Sequence, residues 1–170
     1  MNYLPRTIQP VIEEASKFFK IVMVSGMRQV GKSTLLKQLS SDKRTIISFD
    51  DISNLEAAKS APLQFLQLNP PPCFFDEVQR VPEIFRALKI IVDSRSDKGL
   101  YWLSGSQKLS LMSQVSDALP GRLMNFELWP FSIYEIAGKG LEQKPYLPSF
   151  SLSSSLPILA PEDTWNAVFQ

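Results

Sequence analysis

The sequence predicts a three-layer α/β domain on a central parallel sheet of five strands, and three observations carry that prediction. Short apolar runs at 21–24, 45–49, 73–77, 100–103 and 123–128 alternate with amphipathic helical stretches, the pattern of a parallel sheet covered on both faces. The first run, Ile21-Val22-Met23-Val24, leads into Gly26-Met27-Arg28-Gln29-Val30-Gly31-Lys32-Ser33, which matches G-x-x-x-x-G-K-[ST] at every fixed position. The third run ends in adjacent carboxylates, Asp76-Glu77.

Taken in order, residues 1–19 carry Pro5 and Pro10 and then Val11, Ile12, Ala15, Phe18 and Phe19 on one helical face. A helix lying on the sheet with those five side chains inward is expected. Thr34–Leu39 is a run of strong helix formers with Leu35, Leu36 and Leu39 inward, ended by Ser40-Ser41-Asp42. The strand at 45–49 closes on Asp50-Asp51, at the carboxyl edge where open α/β sheets place ligands. A loop or helix-capping role is favoured for these acids, and contact with ribose, base or metal is the other. Residues 52–69 are weakly helical and stop at Pro70-Pro71-Pro72.

Cys73–Glu77 reads as a short buried strand, after which Pro82 is placed as a first-turn proline. The helix it opens sets Ile84, Phe85, Leu88, Ile91 and Val92 inward. Gly99 breaks away, Leu100–Leu103 forms the fourth strand, and the polar group Ser104-Gly105-Ser106-Gln107 follows it. Residues 108–118 read as a loose helix. Leu123–Leu128 alternates Met124, Phe126 and Leu128 against Asn125 and Glu127, which suits an edge strand with one solvated face. The domain is expected to fill residues 1–137. Residues 138–170, rich in Gly, Pro and Ser, read as a linker or the truncated start of a C-terminal region.

Composition narrows the chemistry. A net charge of +1 gives no global basic excess that would point to nucleic acid and no acidic solvating tail. The absence of histidine removes imidazole as base, zinc ligand or triad member, so proton transfer must rest on carboxylates. One cysteine, Cys73, excludes an intramolecular disulfide and a Cys-cluster metal site; it reads as a small buried hydrophobe and fits a reducing compartment. No apolar run reaches the ~20 residues of a membrane span, and residues 1–10 lack the apolar core of a signal peptide, so a cytoplasmic protein with no membrane partner is expected.

The glycine loop lets backbone N–H groups converge on phosphate, with Lys32 reaching the β- and γ-phosphates and Ser33 giving its hydroxyl to Mg²⁺. An acid at the tip of the third strand beside that loop, Asp76, would hold Mg²⁺ through water, and Glu77 would activate the attacking water as general base. Simple capping before the helix at Pro82 is the alternative for this pair. Ser104 or Ser106 would contact the water or the γ-phosphate, with Ser106 preferred of the two and a plain turn hydroxyl as the equal alternative. Arg122, behind Gly121, is read as an arginine finger offered to a neighbouring subunit or as a surface ion-pair residue. Arg28 and Arg80 are weaker candidates.

The strings Gly26-x-Arg28-Gln29-Val30-Gly31-Lys32-Ser33-Thr34, Phe75-Asp76-Glu77-Val78-Gln79-Arg80-x-Pro82, Leu103-Ser104-Gly105-Ser106, Gly121-Arg122 and Pro130-Phe131-Ser132-x-x-Glu135 together resemble an ATPase domain. It is that of a large prokaryotic AAA+ group which joins this domain to a C-terminal domain of unknown function, and the resemblance covers residues 3–137. It implies a P-loop NTPase fold with sheet order 5-1-4-3-2, Mg-ATP as ligand, and Walker A contacts from Gly26 through Thr34, Met27 included. It also implies Walker B roles for Asp76 and Glu77, a sensor role after the fourth strand, and dimer or ring assembly. Met27 stands where a proline is usual and Pro120 where a small residue is. The helical lid and C-terminal domain that would follow residue 137 in such proteins have no counterpart, so a truncated product or fragment is expected.

The leading function is hydrolysis of Mg-ATP to ADP and phosphate to drive a conformational change. A non-catalytic nucleotide switch or vestigial fragment is the alternative. A small-molecule kinase ranks lower, having no use for a water-activating Glu77. Nucleic-acid binding ranks lower too, because no basic stripe with interleaved aromatics is present.

Overall fold

The computed structural model describes residues 3–40, 43–106, 115 and 118–142. Five strands, β1 (Ile21–Gly26), β2 (Thr45–Ser48), β3 (Cys73–Asp76), β4 (Tyr101–Ser106) and β5 (Leu123–Leu128), pair in parallel in the order β2-β3-β4-β1-β5. Read from the other edge this is 5-1-4-3-2, the order the resemblance implied. Helices α1 (Gln9–Phe18), α2 (Lys32–Ser40), α3 (Ile52–Ser60), α4 (Pro62–Leu68), α5 (Ile84–Asp93) and the one-turn α6 (Ile133–Ile136), with a 3₁₀ turn at Val78–Arg80, accompany the sheet.

Strand alternation divides the core in two. Ile21, Met23, Cys73, Phe75, Tyr101 and Leu103 turn to the face covered by α4 and α5. Their neighbours Val22, Val24, Phe74 and Trp102 turn to the face covered by α1 and α2. Because successive strand side chains point to opposite sides, near-continuous apolar runs in β1 and β3 feed both layers at once. On the first face Phe49, Phe65, Phe75 and Tyr101 form a chain of rings with centroids 5.6 to 6.1 Å apart, within the range of favourable aromatic pairing. Cys73 is fully buried there, and burial pushes its thiol up to about 11.

Several expectations change in detail. In α1, Ile12 and Ala15 are buried but Phe18 is 64% exposed, because the helix ends at that residue. The weak helix at 52–69 is two helices broken at Ala61, before Pro62. Pro82 lies two residues ahead of α5, in a turn whose carbonyl accepts the Phe85 N–H at 3.3 Å. β4 runs on to Ser106, so Ser104 and Ser106 belong to the strand rather than to a loop after it. β5 is an edge strand as expected, but its alternation is muted: Asn125 and Glu127 are half-buried like Met124 and Phe126, and the Asn125 Oδ1 is buried. The expected helix at 108–118 falls largely outside the described residues, as does most of the expected 138–170 segment. Among the described residues no helix is long and apolar enough to cross a membrane.

Candidate nucleotide site

The parallel register aligns the ends of the central strands: Gly26 of β1 lies opposite both Ser106 of β4 and Leu128 of β5. Asp76 closes β3 on the other side of β4, one residue beyond the Phe75–Leu103 pair. Every element of the site therefore comes off one edge of the sheet. Gly26 is required by packing, because a Cβ there would collide with the Leu128 carbonyl oxygen. Gly31 is required by its backbone, with φ at 93°. Gln29 also takes a left-handed φ of 64°, and successive residues of this kind can form a concave anion-binding nest. α2 then starts at Lys32, its first turn closed by the Leu35 N–H on the Gly31 carbonyl at 2.9 Å. That brings the positive end of the helix to the cavity.

The cavity has a volume of about 460 Å³ and is lined by Arg28, Gln29, Gly31, Lys32, Ser33, Thr34, Asp50, Glu77 and Ser106. A second hollow of about 860 Å³ shares Arg28, Asp50, Glu77 and Ser106 and adds Gly26, Met27, Gln79 and Arg80. Of the nine loop residues expected to bind, only Val30 stays out of both; its side chain is buried against α1 and the sheet.

Lys32 is 6% exposed, and its Nζ donates to the Gly26 and Met27 carbonyls at 3.2 and 2.6 Å, across the mouth of the loop. Burial pushes its ammonium below the ordinary lysine value, and the carboxylates of Glu77 and Asp76 oppose that shift. Asp76 is 5% exposed and accepts on one oxygen from two hydroxyls, Ser33 at 2.7 Å and Ser104. Neither acid caps a helix. Glu77 adopts φ 62° and ψ 44° at the head of a 3₁₀ turn, Val78–Arg80, and its side chain makes no capping bond. Instead Gln79 Nε2 donates to Glu77 Oε2, and Gln79 Oε1 accepts the Ser106 N–H at 3.2 Å. The Ser106 hydroxyl is buried with no protein partner while its residue lines the cavity.

The two acids after β2 divide their work. Asp51 caps α3, accepting the Asn54 N–H at 3.1 Å, whereas Asp50 lines both hollows and pairs with Arg80 at 2.5 Å. Helix capping thus holds for Asp51, while Asp50 stays in the loop. Arg122 is not brought into its own chain's cavity. It precedes β5 by one residue, so the six residues of the strand, about 20 Å at ~3.3 Å each, separate it from the loop edge, and it pairs with Asp93. Sequence reasoning missed Gln79 as a partner of Glu77, Ser104 as a partner of Asp76, and Arg6. The S-x-x-E spacing of Ser132 and Glu135 was a legible capping-box signal, and that box is present.

Ser33 and Asp76 offer a hydroxyl and a carboxylate oxygen, the hard donors Mg²⁺ takes. Among the described residues no group of three or more His, Cys, Asp or Glu could hold a metal ion.

A parallel sheet of this order, with a glycine loop running from β1 into a helix and an acid at the tip of β3, defines a P-loop nucleoside-triphosphatase domain. The chain belongs to the AAA family: residues 18–137 match the AAA domain. It is also similar to uncharacterized proteins of Mycobacterium bovis and Mycobacterium tuberculosis, each 27% identical over 124 residues, 72% of this chain and 28% of the relative. The chain thus spans under a third of the length of the curated relatives it matches.

Proposed function

We infer that the chain binds Mg-ATP at this loop and hydrolyses it to ADP and phosphate. The observation that carries the reading is the 2.7 Å hydrogen bond from Ser33, which lines the cavity with Lys32 and Glu77, to Asp76, buried behind it. Ser33 can offer a lone pair to Mg²⁺ while its O–H still donates to Asp76. When bound, that ion neutralises charge developing between the β- and γ-phosphates.

Lys32 places a positive charge over the phosphates, and the loop N–H groups hold them. Glu77, fixed through one oxygen by Gln79, takes a proton from water on the other as that water's oxygen bonds to the γ-phosphorus. The bond from that phosphorus to the bridging oxygen breaks, leaving ADP. Ser106 supplies a hydroxyl toward the γ-phosphate or the water. Arg122, at the far end of β5, serves as a finger only in a neighbouring copy's site, so a homo-oligomer is part of this reading. The conformational change that turnover drives would act on the rest of a longer protein.

The position of Arg122 favours one second reading, a nucleotide-binding module that turns over only when assembled. Purified chain, Lys32→Ala and Glu77→Gln should be compared for Mg-dependent phosphate release and nucleotide binding. Turnover in the parent, lost in both variants with binding kept in Glu77→Gln, is expected, with a loss of about 10²- to 10⁴-fold for the missing base. Binding without turnover in the parent would favour the second reading, and undiminished turnover in Glu77→Gln would remove Glu77 as base.

A further inference from the structure

The buried charge this scheme leaves unused is Arg6. It is 3% exposed, stands outside the nucleotide cavity and lines a different hollow with Thr7, Trp129 and Glu135. Each of its three nitrogens donates one hydrogen bond. Nη1 donates to the Val30 carbonyl at 2.9 Å, Nη2 to the Trp129 carbonyl at 2.5 Å and Nε to Glu135 Oε1 at 3.1 Å, and the Phe131 ring lies 4.2 Å from its centre. Glu135 is as closely held: Oε1 also accepts the Thr7 N–H and Oε2 the Ser132 N–H, both at 2.8 Å. A buried ion pair is costly to desolvate and contributes little net stability compared with apolar residues of the same size. What this pair does is specify geometry.

Val30 is the residue before Gly31, and in a planar trans peptide the carbonyl and the following N–H point in opposite directions. Arg6 holds the Val30 carbonyl from behind the loop. A planar peptide then points the Gly31 N–H away from Arg6, which lines neither of the two hollows beside the loop. The three other Arg6 contacts, Trp129, Phe131 and Glu135, belong to the segment that leaves β5.

We propose that Arg6 is a positioning residue for the phosphate loop, fixing the Val30–Gly31 peptide for phosphate, and that through Glu135 it links the loop to the chain that leaves β5. This rests on the reading that the loop binds nucleotide phosphate. Coupling is reciprocal, so phosphate at the loop should in turn steady residues 129–136.

The test uses the full chain as parent, Arg6→Met/Glu135→Met, and Glu135→Gln. The apolar pair keeps the volume filled but removes the carbonyl anchor. Calorimetry with Mg-ADP and with pyrophosphate gives affinity, thermal unfolding reports the fold, and amide hydrogen exchange over residues 26–34 without ligand reports the loop. The double variant should unfold near the parent temperature, bind both phosphate ligands at least tenfold more weakly and exchange the Gly31 and Lys32 amides faster. If the double variant does not fold, Glu135→Gln decides. It should weaken binding severalfold and loosen the loop amides although Glu135 touches no part of the cavity. Parent-like affinity and loop exchange in either folded variant would overturn the proposal. Failure of the parent to bind either ligand would count against the nucleotide reading, while loop exchange without ligand would still decide Arg6.

Discussion

Asp76 and Glu77 are neighbours in the chain and opposites in the fold. Asp76 ends a strand in extended backbone, buried, with both of its hydroxyl partners supplied by the sheet edge and α2. Glu77 is half-exposed, in left-handed backbone that ordinary residues avoid, and held by a side chain two positions on. Two identical functional groups are thus held differently: one is buried and bonded to two hydroxyls, and the other is half-exposed, in left-handed backbone, with one oxygen bonded to Gln79. A non-glycine residue in this backbone region costs on the order of 1 kcal/mol, and such outliers cluster at functional sites.

The contrast can be broken first at Asp76. Asp76→Ala leaves the Ser33 and Ser104 hydroxyls without their acceptor and should cost about 1–3 kcal/mol of stability, read from the denaturant midpoint at unchanged slope. A loss below about 0.5 kcal/mol would mean that these bonds do not hold the edge together. Glu77→Gly should do the reverse and stabilise by about 0.5–1 kcal/mol through relief of φ while turnover disappears. A destabilised Glu77→Gly would remove the idea that stability is given up at this position for chemistry.

A smaller effect follows from Lys32. Its folded value lies below the ordinary one, chiefly through burial. Between those two values the unfolded chain binds more protons, so this group's contribution makes stability rise with pH across that window. Phosphate needs the protonated form. Nucleotide affinity should therefore fall severalfold on the alkaline side before the ordinary lysine value of 10.5 is reached. Titration of affinity against pH checks it, and a profile flat up to that value would reject it. The smallest effect is expected at Arg122, whose ion pair with Asp93 is solvent-exposed. Arg122→Ala should change stability by less than about 1 kcal/mol and remove any rise of specific activity with protein concentration. A flat concentration dependence in both proteins would end its role in a neighbour's site.

Local chemistry was legible from the chain. The glycine loop, the acid-tipped strand and the inward stripe of α5 each announce themselves within about ten residues, because one backbone geometry demands one spacing. The face of Phe18, the true length of β4 and the division of labour between Asp50 and Asp51 depend on what packs beside them, which periodicity does not encode. Arg6 is the clearest case. It lies 129 residues from Glu135, and only the closing of β5 against β1 brings them together. Gln79 was in plain view two residues from Glu77, but only the left-handed turn between them folds it back.

Cys73 gives the protein a built-in reporter. One thiol per chain, fully buried at the start of β3 and pushed up to about 11 by burial, should stay silent toward alkylating reagents while the sheet is closed. Its labelling then counts opening events. The stoichiometry is one, so the fraction of chains tagged per minute can be read directly by mass. Comparing that fraction with and without nucleotide would time how often the interior opens, with no added dye and no engineered residue.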